Sequence, residues 1–208
     1  MWWSSLFTDM RPSDFFNFSF LPKYGVAFVR GIEYTLLLAV VSVLLAVIPA
    51  LLLALMRLSK IKPVKWLSGA YIAVFRSTPM LVQLSIIYFG LFYAISLPRV
   101  NLFGFVDISR FIPGVVALAL NSSAYVAEIF RAGIQSIPRG QYEAASSLGM
   151  SYVQTMFSVI LPQTVRRVIP TVTSDFITAF KDTSLLSSVG VMELMMYAKT
   201  ITAATGNV

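Results

Sequence analysis

With 208 residues, of which 57% are hydrophobic and only 12% are charged, the chain has the composition of an integral membrane protein, because a soluble domain carries about 25% charged residues. It contains no cysteine and no histidine, which excludes disulfides, thiolate metal sites and the commonest general base. The formal charge of +7 is explained more simply by Lys and Arg in cytoplasmic loops than by nucleic-acid binding.

The first predicted membrane span covers residues 34–56. Residues 1–24 precede it and are predicted to form an external or interfacial segment, since their aromatic side chains are typical of a membrane interface. Residues 34–56 carry no charge, and a hydrocarbon core needs roughly 20 such residues. Pro49 lies inside this span, where neighbouring helices can satisfy the carbonyl that proline leaves free.

Residues 77–98 and 111–130 are the second and third predicted spans, and only Glu128 interrupts their apolar character. The segment between the first and second spans is basic and contains no acid, which is typical of a cytoplasmic loop. Its basic residues are Arg57, Lys60, Lys62 and Lys65. The second span therefore runs outward, the third returns, and the N-terminus is predicted to lie outside.

Two stretches compete for the fourth span, namely residues 149–165, which are charge-free, and residues 168–190, which contain three charges. A span at 149–165 would place the Arg166–Arg167 pair outside, against the positive-inside rule. The fourth span is therefore predicted at residues 168–190, with residues 139–150 in the cytoplasm. The predicted fold is an all-α polytopic membrane helical bundle in which four spans are visible.

Three charged residues of the fourth predicted span, Asp175, Lys181 and Asp182, bear on function. An unpaired charge at this depth is costly, so these side chains are expected to face the bundle interior or a cavity. They could line a passage for a polar solute, or they could form an interior salt bridge or lie near the outer interface. For Lys181 and Asp182 both alternatives stay open. Ser184 adds a hydroxyl that could contact a solute or bond to its own helix.

Arg76 and Glu128 are placed near the inner ends of the second and third predicted spans. They could pair and brace the bundle, which is the favoured interpretation, or they could bind the carboxylate and ammonium groups of a substrate. Arg131 competes for Glu128 because it follows three residues later on the same helical face. The chain has no P-loop motif, so nucleotide binding in that manner is excluded.

Residues 139–150, RGQYEAASSLGM, are small and polar within an apolar chain, and they are predicted to contain a short cytoplasmic helix. Pro138 is tolerated in a first helical turn, Glu143 suits the dipole near the N-terminal end, and Gly149 permits the turn that follows. The small residues 144–147 would let a partner surface approach closely. The alternative is an amphipathic loop helix that lies on the lipid headgroups.

This segment resembles the EAA signature of ABC importer permeases, E-A-A-x3-G-x9-I-x-L-P. Here Glu143-Ala144-Ala145 is followed after three residues by Gly149 and after nine more by Val159-Ile160-Leu161-Pro162, with Val159 in place of the usual Ile. Other stretches are similar to the polar amino-acid branch of that family: FRSTP at 75–79, AYVAEI at 124–129, RAGI at 131–134 and KDTSL at 181–185. The resemblance covers roughly residues 25–208.

The resemblance implies a type I ABC transmembrane domain at residues 25–208, with a coupling region at residues 136–165 and a fifth span that would follow Val208. Such permeases lie in the bacterial cytoplasmic (inner) membrane and pair as homodimers or with a related second permease. An external solute-binding protein delivers a polar amino acid to them. Two cytoplasmic ABC ATPase subunits bind ATP and Mg²⁺, so this chain is implied to bind no cofactor and to be a transport subunit, not an enzyme.

In this family the EAA helix docks in a groove of the ATPase and transmits its closure to the spans. The residues implied in this coupling are Gly140, Tyr142, Glu143, Ala144, Ala145, Leu148 and Gly149. The candidate substrate pathway consists of Arg76, Glu128, Asp175, Lys181, Asp182 and Ser184. The alternative is a self-contained membrane transporter or channel for a small polar solute. A membrane enzyme is disfavoured because the chain lacks His, Cys and a clear pair of catalytic carboxylates.

Overall fold

The structure, a computed structural model, describes residues 20–95, 97–102, 104 and 106–205, so residues 1–19 of the predicted N-terminal segment lie outside the described part. The helices are α1 (Leu21–Leu58), α2 (Lys62–Ser77), α3 (Met80–Ala94), α4 (Ile108–Gln135), α5 (Arg139–Ser147), α6 (Tyr152–Thr155, Met156–Ile160 and Leu161–Asp182, in one run) and α7 (Leu194–Thr205). One turn of α3, Ile86–Leu91, and one turn of α6, Met156–Ile160, are π-helical. The short antiparallel pair of β1 (Asn101–Leu102) and β2 (Val106–Asp107) connects α3 to α4. The prediction of an all-α bundle is confirmed.

The long apolar helices α1 and α4 form the central pair of the bundle. Leu38 of α1 is fully buried in a hydrophobic cluster that also contains Leu118 of α4. In a second cluster, Ala50 and Ala54 of α1 are fully buried together with Ala127 of α4. Alanine allows two helices to approach closely, which is how membrane helices pack without a hydrophobic driving force between them.

The helices α2 and α3 meet at a bend of 106°. Together they are long and apolar enough to cross a membrane, whereas α1 and α4 are so singly. At the break Thr78 and Pro79 are extended, with ψ angles of 140° and 138°. Pro79 explains the break, because proline disfavours the α conformation of the residue before it. The span predicted at residues 77–98 thus corresponds to α3 and follows a second helix, α2, that begins at Lys62.

The stretches that compete in the sequence for the fourth span, residues 149–165 and 168–190, largely belong to one helix, α6. The predicted span at 168–190 is helical in the α form only to Asp182. Charged residues are spread along α6, so it is less apolar than α1 and α4. Close packing on α4 holds it instead: a Cβ at Gly133 of α4 would overlap the side chain of Val168.

A 3₁₀ segment, Thr183–Val189, leads from α6 towards α7. Glu193 starts α7: its carboxylate accepts the backbone N–H groups of Met195 and Met196 at 2.8 and 2.7 Å. These bonds satisfy donors that a helix N-terminus otherwise leaves free. α7 packs on α1, where a Cβ added at Gly31 would lie 3.0 Å from the Leu194 backbone. The segment after the fourth predicted span is therefore a docked helix as far as Thr205.

Candidate functional site

A cavity of about 390 Å³ opens where the break between α2 and α3 faces α4 and α6. We call it the central cavity. Most of the residues that line it are polar, although it lies between helices of an apolar bundle. It is lined by Arg76, Ser77, Thr78, Pro79, Met80, Asn121, Ser122, Tyr125, Asp175, Thr178, Ala179 and Asp182.

The charged groups of the central cavity come from different helices. The guanidinium of Arg76, at the end of α2, lies 5.3 Å from the ring centroid of Tyr125 in α4, within cation–π range. Asp175 and Asp182 belong to α6 and are seven residues apart, which places them on one face, two turns from each other. A guanidinium binds carboxylates and a carboxylate binds ammonium groups, so the cavity has groups of both signs for a polar solute.

The carboxylate of Asp175 is incompletely paired. Its Oδ2 atom is buried and has no hydrogen-bond partner among the described residues. The side chain of Ser122, in a residue only 5% exposed, also faces this cavity. Buried polar atoms are normally hydrogen-bonded, so an unpaired carboxylate oxygen at a cavity wall is a candidate ligand-binding group.

A second cavity, of about 480 Å³, shares Arg76, Tyr125 and Asp175 with the central cavity. We call it the adjoining cavity. Glu128 lines it and pairs with Arg131 at 2.7 Å, three residues on in the same helix. Arg131 also donates to Gln135 Oε1 at 2.7 Å. The favoured pairing of Glu128 with Arg76 is therefore wrong. Arg131 pairs with the carboxylate instead, because residues three apart are neighbours on a helix surface.

The structure separates two other candidates from this region. Lys181 and Ser184 line a different, mostly apolar cavity of about 340 Å³, together with Thr35 and Glu193. Lys181 and Asp182 are consecutive on α6, so their side chains diverge by about 100° around the helix axis. Of the predicted pathway residues, Arg76, Asp175 and Asp182 thus meet in the central cavity, and Glu128 lies in the adjoining one.

Several lining residues were absent from the prediction: Thr78, Asn121, Ser122, Tyr125 and Thr178. One signal could have found two of them. Asn121-Ser122-Ser123 is a run of three polar residues in the middle of the otherwise apolar span predicted at 111–130. Polar residues at such a position face the bundle interior or a water-filled cavity.

The short helix α5 presents a polar outer face beyond the end of the bundle. Gly140, Glu143 and Ala144 are exposed on it. Leu148, which follows the helix, is 82% exposed. Gly149 then has φ of +76°, a left-handed conformation that glycine adopts without a steric cost. The outer side of α5 and the turn after it are therefore open to contact.

The inner face of α5 is held against the ends of α4 and α6. Ala145 is only 3% exposed, so its side chain is not available to a partner. Tyr142 packs against a hydrophobic cluster that contains Ile134 and Ile160. Partial burial of its phenol raises the pKa of Tyr142. Gln163 of α6 donates to the side chain of Gln141 at 3.0 Å, which ties the two helices together.

The known proteins that this chain resembles are membrane components of transport systems. Residues 42–207 match the family described as binding-protein-dependent transport system inner membrane component. The chain is 43% identical over 173 residues to the L-cystine transport system permease protein TcyB of Bacillus subtilis (strain 168), covering 83% of this chain and 70% of that protein. It is 40% identical over 179 residues to the arginine transport system permease protein ArtQ of the same organism, covering 86% of this chain and 78% of that protein.

A crystal structure of an amino acid ABC transporter with histidines is also similar, with a TM-score of 0.78 and 41% sequence identity over 91% of this chain and 84% of that one. These similarities favour an ABC importer over a self-contained transporter or channel. The family implies ATPase and solute-binding partners, and ATP hydrolysis lies in the partner subunits. The chain therefore belongs to the family of binding-protein-dependent transport system inner membrane components, and it is a permease subunit of an ABC importer.

Proposed function

We propose that the chain forms part of the passage for a polar amino acid, and that the central and adjoining cavities belong to this passage. The observation that carries the proposal is the central cavity itself, in which Arg76 lies with Asp175 and Asp182. An amino acid has a carboxylate and an ammonium group, and these charges are complementary to the guanidinium and the carboxylates. Relatives named for cystine and arginine transport support the same class of solute.

The outer face of α5 is the proposed docking surface for the ATPase. Exposed Gly140, Glu143, Ala144 and Leu148 would contact the partner, with Gly149 shaping the turn that presents them. Tyr142 and Ala145 would act from the inner face, by holding α5 on the bundle. ATP and Mg²⁺ would be bound by two ATPase subunits, and the passage would be completed by a second permease.

The proposed orientation follows from the basic loop between α1 and α2. Arg57, Lys60, Lys62 and Lys65 would lie on the cytoplasmic side of the bacterial inner membrane, as α5 would. The chain would then cross the membrane several times with its N-terminus outside. A solute-binding protein would deliver the amino acid from that side.

The proposed mechanism is alternating access. Closure of the ATPases around ATP would favour one of two arrangements of the permease, because the nucleotide-bound ATPase pair binds that arrangement better. α5 would move with the ATPase, and α6 would follow because Gln141 and Gln163 and the shared hydrophobic cluster join the two helices. Since α6 contributes Asp175 and Asp182, its movement would change the wall of the central cavity.

The experiment is uptake by the complete complex, purified with its ATPases and reconstituted in proteoliposomes with the solute-binding protein. We expect ATP-dependent accumulation of radiolabelled L-arginine or L-cystine, and no accumulation of glucose. Glu143→Lys is expected to retain the complex in the membrane but to lose solute-stimulated ATP hydrolysis and uptake together, because it reverses a charge on the docking surface.

Glu33→Lys, the same charge reversal at an exposed position of α1, is the matched control and should leave both activities unchanged. Uptake by the purified chain without ATPase would contradict the proposal. Normal uptake and ATP hydrolysis in Glu143→Lys would contradict the docking role of α5 alone.

A further inference from the structure

Gln83 of α3 donates hydrogen bonds to backbone carbonyl groups that are left free at the α2–α3 break. The last carbonyl groups of a helix have no partners in their own helix, and burying them unpaired is costly. The Nε2 atom of Gln83 lies 2.7 Å from the carbonyl oxygen of Phe75 and 2.8 Å from the carbonyl oxygen of Thr78. It is also 2.8 Å from the hydroxyl of Thr78. One side chain thus joins the start of α3 back to the end of α2.

The other end of the same carboxamide binds α4. Asn121 Nδ2 donates to Gln83 Oε1 at 2.9 Å. Gln83 is 6% exposed and Asn121 is 8% exposed, so these bonds are shielded from competing water. We name the bonded set Phe75, Thr78, Gln83 and Asn121 the Gln83 network. It connects three helices through one buried side chain.

The Gln83 network lies directly behind the central cavity. Thr78 and Asn121 belong to the network and also line the cavity, and Arg76 follows Phe75 in the chain. Gln83 itself is not among the lining residues. Pro79 explains why the helix breaks, but it confines the residue before it only to a range of φ and ψ and so does not fix one angle between the two halves. The Gln83 bonds limit that angle and tie it to α4.

We propose that Gln83 is a positioning residue for solute passage: its buried carboxamide holds the α2–α3 break against α4 and thereby fixes Arg76 and Thr78 in the wall of the central cavity. The proposal rests on the proposed function of that cavity. A buried glutamine that merely satisfied its own hydrogen bonds would affect stability alone. A positioning residue also changes how well the solute is bound.

Two measurements test the role of Gln83. The first is the distance across the break, because the chain has no cysteine of its own and an introduced pair can be spin-labelled selectively. Leu67→Cys on α2 and Phe89→Cys on α3 are suitable, since these residues are 60% and 58% exposed. The labelled full chain is studied by double electron–electron resonance in lipid nanodiscs. The second is the KM for uptake of L-arginine or L-cystine by the reconstituted complex.

Gln83→Leu removes all the bonds of the network at similar volume. We expect a broader or shifted distance distribution and a rise in KM of about tenfold, as for a hydrogen-bonding group lost from a buried site. Gln83→Glu keeps an acceptor for Asn121 but replaces the donor Nε2 with a carboxylate oxygen that faces the carbonyls of Phe75 and Thr78. We expect the same two effects from it, which provides a second test where the leucine variant folds poorly.

Ser85→Ala is the matched control, because Ser85 is a partly exposed polar residue of the same helix whose hydroxyl donates back to Leu81 O. It should change neither the distance nor the KM. Unchanged distances in both Gln83 variants would overturn the proposal, as would changed distances with an unchanged KM. An unmutated complex without amino-acid uptake would contradict the proposed function itself, and the distances would then still show whether Gln83 holds the break.

Discussion

Among single residues, Asp175 has an environment that opposes folding. Its Oδ2 atom is buried without a hydrogen-bond partner in the described part of the chain, and it lines both the central and the adjoining cavity. A buried carboxylate without a full set of partners opposes folding. A charged group kept inside a membrane bundle is usually functional, and the open position beside Asp175 is suited to an ammonium group.

We therefore predict that Asp175→Asn lowers uptake without harming the fold. The amide has the same shape but lacks the charge, so the initial uptake rate is expected to fall by at least about tenfold, in line with the loss of a hydrogen bond to a charged group. The melting temperature in detergent should stay the same or rise, because an uncompensated charge has been removed. Ser174→Ala, the exposed neighbour, is the control. A normal uptake rate in Asp175→Asn would remove this residue from the pathway.

Gly149 is a second residue at which local geometry makes a prediction. Its φ is +76°, yet a Cβ there would meet nothing within 4 Å, so any cost of substitution comes from the backbone and not from collision. Gly149→Val should destabilise the turn by about 1–3 kcal/mol, whereas Gly149→Asn should be tolerated better.

The readout for Gly149 is ATP hydrolysis stimulated by solute, together with limited proteolysis after α5. We expect Gly149→Val to lose stimulation and to be cut faster, and Gly149→Asn to lie between it and the unmutated protein. Gly25→Ala, also in open space but without a positive φ and outside the docking surface, is the control. If the valine variant behaved like Gly25→Ala, the turn would not need glycine.

Among the helices, α5 separates most clearly the residues that hold it on the bundle from the residues that are proposed to contact the ATPase. Its inner side contains Ala145, which is 3% exposed, and the residue after its end, Leu148, is 82% exposed. Ala145→Leu should lower stability by about 1–3 kcal/mol through overpacking. Leu148→Ser should change stability by no more than about 0.5 kcal/mol.

Co-purification of the ATPase separates these two changes. Leu148→Ser is expected to reduce the amount of ATPase retained with a normally folded permease, because it removes the apolar centre of the docking surface. Ala145→Leu is expected to reduce the amount of folded permease itself. Full retention of the ATPase by Leu148→Ser would place the docking contact elsewhere on the chain.

The helices differ in how well the sequence predicted them, for a physical reason. α1 and α4 each contain an apolar run long enough to cross a membrane, so composition alone predicts them. α6 carries charges that interrupt any hydropathy window, but its packing at Gly133 and Val168 stabilises it as one helix. α2 was missed for the same reason, since Lys65 and Arg76 exclude it from a charge-free stretch.

The site was predicted only in part because the direction of a side chain depends on tertiary packing. Arg76, Asp175 and Asp182 were expected and do meet, but Lys181, next to Asp182, faces another cavity. The sequence shows that a charge lies in a helix. Only the neighbouring helices decide which of two consecutive charges lies in the cavity.

For the whole molecule, orientation in the membrane can be tested because the chain has no cysteine. Lys60→Cys lies in the basic loop after α1, and Arg99→Cys lies before β1; both side chains are exposed. A membrane-impermeant maleimide added to intact spheroplasts should label Arg99→Cys and leave Lys60→Cys unlabelled until the membrane is opened. The opposite pattern would invert the proposed topology, with α5 on the outside.

The π turn of α6 has a consequence for the whole assembly. A π turn holds one more residue than an α turn, so Met156–Ile160 sets the rotational phase between the base of α6, next to α5, and the part that contains Asp175 and Asp182. Deleting one residue there would rotate the upper part by about 100° relative to the base. The carboxylates would leave the cavity although the lining residues on the other helices remained in place. A single inserted residue in this helix thus aligns the proposed solute passage with the surface on which the ATPase is proposed to act.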